Sequence, residues 1–153
     1  MDLFLGVGGG FLVAVIWMDL MFDVLALAPA PQGGQPLPEE TLSTIATYYR
    51  RVTTDAAPMN MFISVMMAGI VGVLARRLVY SSTDFAVDAL SLGLCGVPIV
   101  LALGRVFPNA IRLGSRKDTL LVQGRLARSI AIDHLLCLAA MLSFLVVRFL
   151  ALP

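Results

Sequence analysis

Apolar residues gather in four long runs along this chain, at Leu3–Ala28, Met59–Tyr80, Phe85–Phe107 and Leu126–Leu152. A helix of ~20 residues crosses a hydrocarbon core of ~30 Å, so each run is long enough to span a membrane. Between the first two runs the pattern changes. Pro29–Pro38 is rich in Pro, Gly and Gln and predicts an irregular connector. The stretch Glu39–Thr53 predicts a helix, with acidic residues in its first turn and Arg50 and Arg51 in its last, matching the helix dipole. Leu42, Ile45, Tyr49 and Val52 share one face of it, which predicts an amphipathic helix lying in the headgroup layer with Tyr48 and Tyr49 at the interface. Pro58 marks the entry to the second span.

A very short turn around Ser81–Asp84 makes the second and third spans an antiparallel hairpin, with Asp84 and Asp88 placed to neutralise Arg76 and Arg77. Pro98 predicts a kink in the third span, which membrane helices tolerate. Small residues one turn apart (Gly6, Gly10 and Ala14, then Ala68 and Gly72, then Ala89 and Gly93) predict seams where helix backbones approach closely. The glycine cluster of the first span imitates a phosphate loop, but no strand precedes it, so packing is the expected role. The fold expected is all-α: an integral membrane bundle of four antiparallel helices forming a single domain over 1–153, with one interfacial helix at 39–53.

Composition agrees with a bilayer environment. Hydrophobic residues are 59% of the 153 and charged ones 14%, against roughly 45–50% and ~25% in soluble domains. Mean hydropathy is +0.90. Ala26-Leu27-Ala28 imitates a signal-peptidase site, but Asp2 stands where a basic region belongs and the apolar run is too long, so the segment is expected to remain as a span. Cys95 and Cys137 lie inside apolar runs and read as small buried hydrophobes.

Charge sets the expected orientation. Arg50, Arg51, Arg105, Arg112, Arg116, Lys117, Arg125 and Arg128 fall on one side of the alternating spans, and Arg76, Arg77 and Arg148 on the other. The positive-inside rule then places 29–58 and 108–125 as cytoplasmic loops, with both termini outside, as in a bacterial inner-membrane protein. The basic loop is expected to meet lipid headgroups, not nucleic acid.

Ionisable residues within spans are costly, at ~2.5–3.5 kcal/mol even on the lenient insertion scale, and so are functional candidates. Asp19, Asp23, Asn60, Arg105, Asn109, Asp133 and His134, the only histidine, converge from all four spans on one depth near the cytoplasmic face. Three roles are open. Asp19, Asp23 and His134 supply oxygen and nitrogen ligands of the kind that hold a divalent metal. An ion-pair lock would neutralise the aspartates with Arg105, Arg125 or Arg128. Acid–base chemistry would use His134, whose ordinary pKa of ~6.5 permits both directions. No cofactor is identified by any motif.

Phe107-Pro108-Asn109-Ala110-Ile111-Arg112-Leu113 after the third span, with Arg128 and His134 in the fourth, resembles the anthrone-oxygenase-like family of small four-span membrane proteins. The resemblance covers the second half of the chain. The asparagine stands one position early, and the tryptophan usual before the histidine is missing. It implies cofactor-independent oxygenation of lipophilic aromatic substrates, with Asn109, Arg128 and His134 lining the pocket and Asp133 beside them. Three functions are therefore carried: accessory or scaffold subunit of a larger membrane assembly, or a self-associating one; membrane-embedded enzyme on a lipophilic small molecule; and ion or proton conductor. The first is expected to lead, because the chain carries small-residue seams and no complete catalytic motif.

Overall fold

The computed structural model describes residues 2–28, 36–55, 57–80 and 84–151, and contains no strand among them. Helix α1 is Asp2–Asp23, extended by a 3-10 turn at Val24–Leu27. Helix α2 is Glu39–Arg50 and runs into a wide π turn at Arg51–Asp55. Helix α3 is Ala57–Tyr80, α4 is Phe85–Leu101, α5 is Phe107–Gly114 and α6 is Leu120–Leu150. Four stretches are long and apolar enough to cross a membrane: Asp2–Leu27, Pro58–Tyr80, Phe85–Gly114 and Leu120–Leu150. The outward surface is correspondingly greasy, with Leu3, Trp17, Val100 and Phe149 all more than half exposed. The expected connectors within 29–35 and 81–83 lie outside the described residues.

The third stretch differs from expectation. Instead of ending at Phe107, the chain passes through a π turn at Ala102–Val106 and stays helical to Gly114. Pro98 already removes one N–H from the ladder, and a widened turn follows it. Pro108, the second residue of α5, removes another N–H from the ladder directly after this widened turn. The loop expected at 108–125 therefore shrinks to the turn between Gly114 and Leu120, in which Arg116 takes the left-handed conformation (φ 55°) and pairs with Glu39.

Helix α6 packs on α1 and α4, and α3 on α4 and α1. Leu5, Leu12, Ile70, Leu74, Met141 and Phe144 form the apolar centre between them. A second apolar cluster joins Leu42, Ile45 and Tyr49 of α2 to Ala110 and Leu113 of α5 and to Ala127 and Ile130 of α6. Helix α2 was expected to lay this face into the headgroups. Protein covers the face instead, and the tyrosines are drawn inward with it.

Within the chain, the small-residue positions expected as seams are not the points of closest helix approach. A side chain added at Gly6, Gly10, Gly72 or Gly93 would meet nothing within 4 Å. Ala14 and Ala68 are exposed, and Ala89 is half-buried. The close approaches are elsewhere. At Gly9 a Cβ would stand 2.8 Å from Phe144 and Leu145, and at Gly114 it would stand 3.0 Å from the Arg50 backbone nitrogen. A four-residue spacing marks a stripe on a helix, but several stripes compete, and only the packing selects one.

At the end of the spans holding the start of α1, four charges lock four helices together. Asp88, fully buried on α4, accepts from Arg77 Nε of α3 at 3.0 Å and from Arg148 Nη1 of α6 at 2.7 Å. Asp2 of α1 accepts from Arg77 Nη1 at 2.9 Å and also from Arg148. Two carboxylates and two guanidinia balance. The expected partners Asp84 and Arg76 are not in it: Asp84 Oδ1 caps α4 by accepting from the Val87 N–H at 3.5 Å, and Arg76 is exposed.

Candidate functional site

The opposite end of the spans gathers a second polar group. Asp19 and Asp23 stand one turn apart near the end of α1, so they project the same way. Across from them His134 of α6 is only 7% exposed and Asp23 is fully buried. His134 Nδ1 lies 2.5 Å from Asp23 Oδ2, while the Tyr49 hydroxyl donates to Asp23 Oδ1 at 2.5 Å. An ionised carboxylate only accepts, so Nδ1 carries the hydrogen; in the neutral imidazole Nε2 is then the acceptor, and in the imidazolium it is a second donor. Nε2 makes no hydrogen bond among the described residues; the Asp19 Oδ2 atom lies 3.9 Å away, beyond hydrogen-bond distance. Asp19 Oδ1 accepts from the Tyr48 hydroxyl at 2.5 Å, and the Tyr48 ring stacks on Phe22 with centroids 4.0 Å apart.

Both tyrosines come from α2 and lie outside the spans. Burial, then the charge of the facing carboxylate, pushes the Tyr48 and Tyr49 hydroxyls well above the ordinary tyrosine range. They remain neutral donors to the two aspartates at any physiological pH.

Two chambers meet at this group. The inner one, about 190 Å³, lies between α1, α3, α4 and α6 and is lined by Leu12, Ile70, Pro98, Ala102 and Met141, among other apolar residues. Among the described residues, Asp19 and His134 are its only ionisable lining residues apart from the thiols of Cys95 and Cys137. The outer one, about 290 Å³, adds Tyr48, Tyr49, Arg51, Thr53 and Asn60. Asp19, His134, Val15, Ile63, Val106 and Phe107 line both. The π turn after Pro98 contributes Ala102 and Val106 to these walls, and widened turns of this kind are frequent at functional sites. Asn60 Nδ2 donates to the Val52 carbonyl at 2.6 Å, tying the other π turn to the start of α3.

The remaining candidates fall away from the chambers. Arg105 is exposed and lies 3.2 Å from the buried Asp133, while its Nη2 donates to Ser129. Neither Asp133 oxygen has a hydrogen-bond partner among the described residues. Arg128 donates to the carbonyls of Ala26 and Ala28 at 3.4 and 3.2 Å, closing the end of α1. Arg125 is exposed and Asn109 half-buried. Neither Asn109 nor Arg128 lines either chamber, so the pocket implied by the family resemblance retains only His134.

Two expectations are revised by this arrangement. Of the lock expected at this end, in which Arg105, Arg125 or Arg128 neutralise the aspartates, Arg105 pairs with the buried Asp133 at 3.2 Å, while none of the three makes an ion pair with Asp19 or Asp23 among the described residues. A metal centre required Asp19, Asp23 and His134 to aim at one point. The imidazole instead turns one nitrogen to each aspartate, on opposite edges of the ring, and no metal-holding group of three His, Cys, Asp or Glu occurs among the described residues.

Tyr48 and Tyr49 were not foreseen as site residues. Adjacent positions on a helix point ~100° apart, so nothing in their own spacing marks them as partners of an aspartate pair. Comparison of the chain with family models, with curated proteins and with solved structures finds no match, so the resemblance drawn above rests on the quoted residues alone.

Proposed function

We propose that this chain is an antiparallel four-helix bundle of the bacterial inner membrane that takes a lipophilic small molecule into the cavity between its spans. His134 serves there as a general acid–base. One observation carries the reading: Asp23 holds Nδ1 at 2.5 Å while His134 lines an apolar chamber with its Nε2 unbonded among the described residues. Asp23 fixes the tautomer and the ring plane, and Tyr49 holds Asp23. Nε2 is then aimed to take a proton from a ligand O–H, N–H or activated C–H, and Asp19 stands close enough to stabilise the imidazolium formed. The outer chamber, beside Arg51 and the charged end of the molecule, is the entry. By the positive-inside rule that end is cytoplasmic, and a reporter fused at Lys117 tests the orientation.

The test is recovery of the ligand. Protein extracted in mild detergent should carry a small lipophilic molecule, found by native mass spectrometry. Ala102→Phe, which fills the inner chamber, should lose it while melting as the parent does. His134→Gln should retain the ligand but lose turnover of it. If neither the parent nor His134→Gln carries any molecule, and Ala102→Phe behaves identically, the reading fails.

A second reading is favoured by one feature, the outward-facing small residues Gly10 and Ala14 on α1. They suit contact with another membrane helix, as in an accessory subunit or a second copy of the chain. Migration in native electrophoresis separates a large assembly from a monomer.

A further inference from the structure

We propose that the molecule taken by this site is a lipophilic amine, bound as its ammonium cation where Asp19 and His134 face the junction of the two chambers. The inference rests on the cavity reading above and adds the chemistry of the occupant. It follows from counting donors and acceptors. Both tyrosine hydroxyls are already spent on Asp19 Oδ1 and Asp23 Oδ1, and the imidazole N–H on Asp23 Oδ2. What faces the junction unused is an acceptor pair, Asp19 Oδ2 and His134 Nε2, 3.9 Å apart. His134, on a side chain 8% exposed, lines both chambers, and its Nε2 has no hydrogen-bond partner among the described residues.

A donor atom at ~2.8 Å from each acceptor would subtend roughly 90° between them, within reach of two N–H bonds on one ammonium nitrogen. A single hydroxyl would satisfy one acceptor and leave the other bare. Charge points the same way. Asp23 has an imidazole at bonding distance, whereas the half-buried Asp19 has only the His134 Nε2 atom, 3.9 Å away, and no Lys or Arg among the described residues, so the two carboxylates outnumber the one imidazole. An anionic ligand would be repelled at this point. Arg51, the only Lys or Arg lining either chamber among the described residues, stands in the outer one and disfavours a cation there. The positive nitrogen therefore belongs at the junction and its apolar body in the inner chamber. At about 190 Å³ that chamber exceeds the ~150 Å³ cavity known to hold benzene, so it accepts one ring with a short chain.

The probes are 4-phenylbutylamine, 4-phenylbutanol and 4-phenylbutyrate, titrated into the full chain in detergent micelles at neutral pH by calorimetry. The amine should bind about ten- to a hundredfold tighter than the alcohol, the range expected for charge-assisted hydrogen bonds, and the carboxylate should not bind. Asp19→Asn should erase the preference for amine over alcohol while leaving alcohol binding in place. His134→Gln, a second variant that keeps a polar side chain, should reduce that preference as well. An alcohol or carboxylate that binds as tightly as the amine would overturn the assignment of an amine and leave the cavity reading intact. Equal amine preference in Asp19→Asn and the parent would also overturn it. If all three probes fail to bind and Ala102→Phe changes nothing, the cavity reading falls and the assignment falls with it.

Discussion

Replacing Asp88 by leucine should be among the most damaging single changes available in this molecule. Asp88 is fully buried and receives Arg77 Nε at 3.0 Å and Arg148 Nη1 at 2.7 Å. Without it, two guanidinia face Asp2 alone, whose side chain is 44% exposed. The two arginines are not stranded equally. Arg77 has 18% of its side chain exposed and can shift its head toward the interface, whereas Arg148 has 8% and cannot. The expected cost is therefore that of one broken buried pair, about 3–5 kcal/mol, not two. For a chain of this size that corresponds to a fall in Tm of about 6–20 °C. Arg148→Met should be costly for the mirror reason, since it leaves Asp88 with one partner. The double variant Asp88→Leu/Arg148→Met removes both stranded charges and should recover a coupling energy of about 1–3 kcal/mol relative to the sum of the singles. The assay is thermal unfolding in detergent micelles followed by helical circular dichroism. Additivity of the two singles within ~0.5 kcal/mol would refute the lock.

Tyr49→Phe should remove an alkaline instability. Burial and the facing Asp23 raise the hydroxyl above its ordinary value of 10.0, so its contribution is constant below that pH, where folded and unfolded chains both hold the proton. Above it the unfolded chain releases the proton first, and stability should fall by ~1.4 kcal/mol per pH unit from this group. The phenylalanine variant should show a shallower fall between about pH 10 and 11; identical slopes would count against a buried, hydrogen-bonded hydroxyl. Gly114→Ala should cost about 1–3 kcal/mol, because its Cβ would press on the backbone of Arg50 and lift α2. Gly10→Ala, with open space around it, should instead gain up to about 1 kcal/mol from helix propensity; the opposite ranking in a melting experiment would restore the seam expected from spacing.

The four long apolar helices were legible because length and hydropathy are written residue by residue: a run long and apolar enough to cross a membrane is visible without knowing any partner. The helical continuation to Gly114 and the early start of α6 at Leu120 were not. There the chain turns basic and polar, and Arg, Leu and Gln favour helix as much as the apolar run does, so the loss of hydrophobicity says nothing about the end of the helix. Asp19, Asp23 and His134 stood out for their rarity within apolar runs. Tyr48 and Tyr49 did not, because their contacts reach 29 and 26 residues back along the chain. Those contacts depend on how α2 is seated. Leu42 and Ile45 against Ala110 and Leu113 fix the seat, and the close approach at Gly114 sets its height. Asp2 and Arg148 escaped notice for the same reason, being 146 residues apart and joined only by the packing of α1 on α6.

The two polar clusters can be told apart by charge balance. If every buried ionisable group served only to hold helices together, each cluster would be expected to close on itself, as Asp2, Arg77, Asp88 and Arg148 do with two charges of each sign. The other end meets that condition only in part. Two carboxylates share one imidazole and two neutral tyrosines, and the arginines of that region are engaged elsewhere or exposed. A purely structural cluster would set an arginine against Asp19, yet Arg128 spends its donors on the carbonyls of Ala26 and Ala28. The unmatched charge faces an apolar cavity, where it is most expensive. A proton or a cation arriving from outside removes that expense, and in doing so links occupancy of the cavity to the charge state of Asp19 and His134.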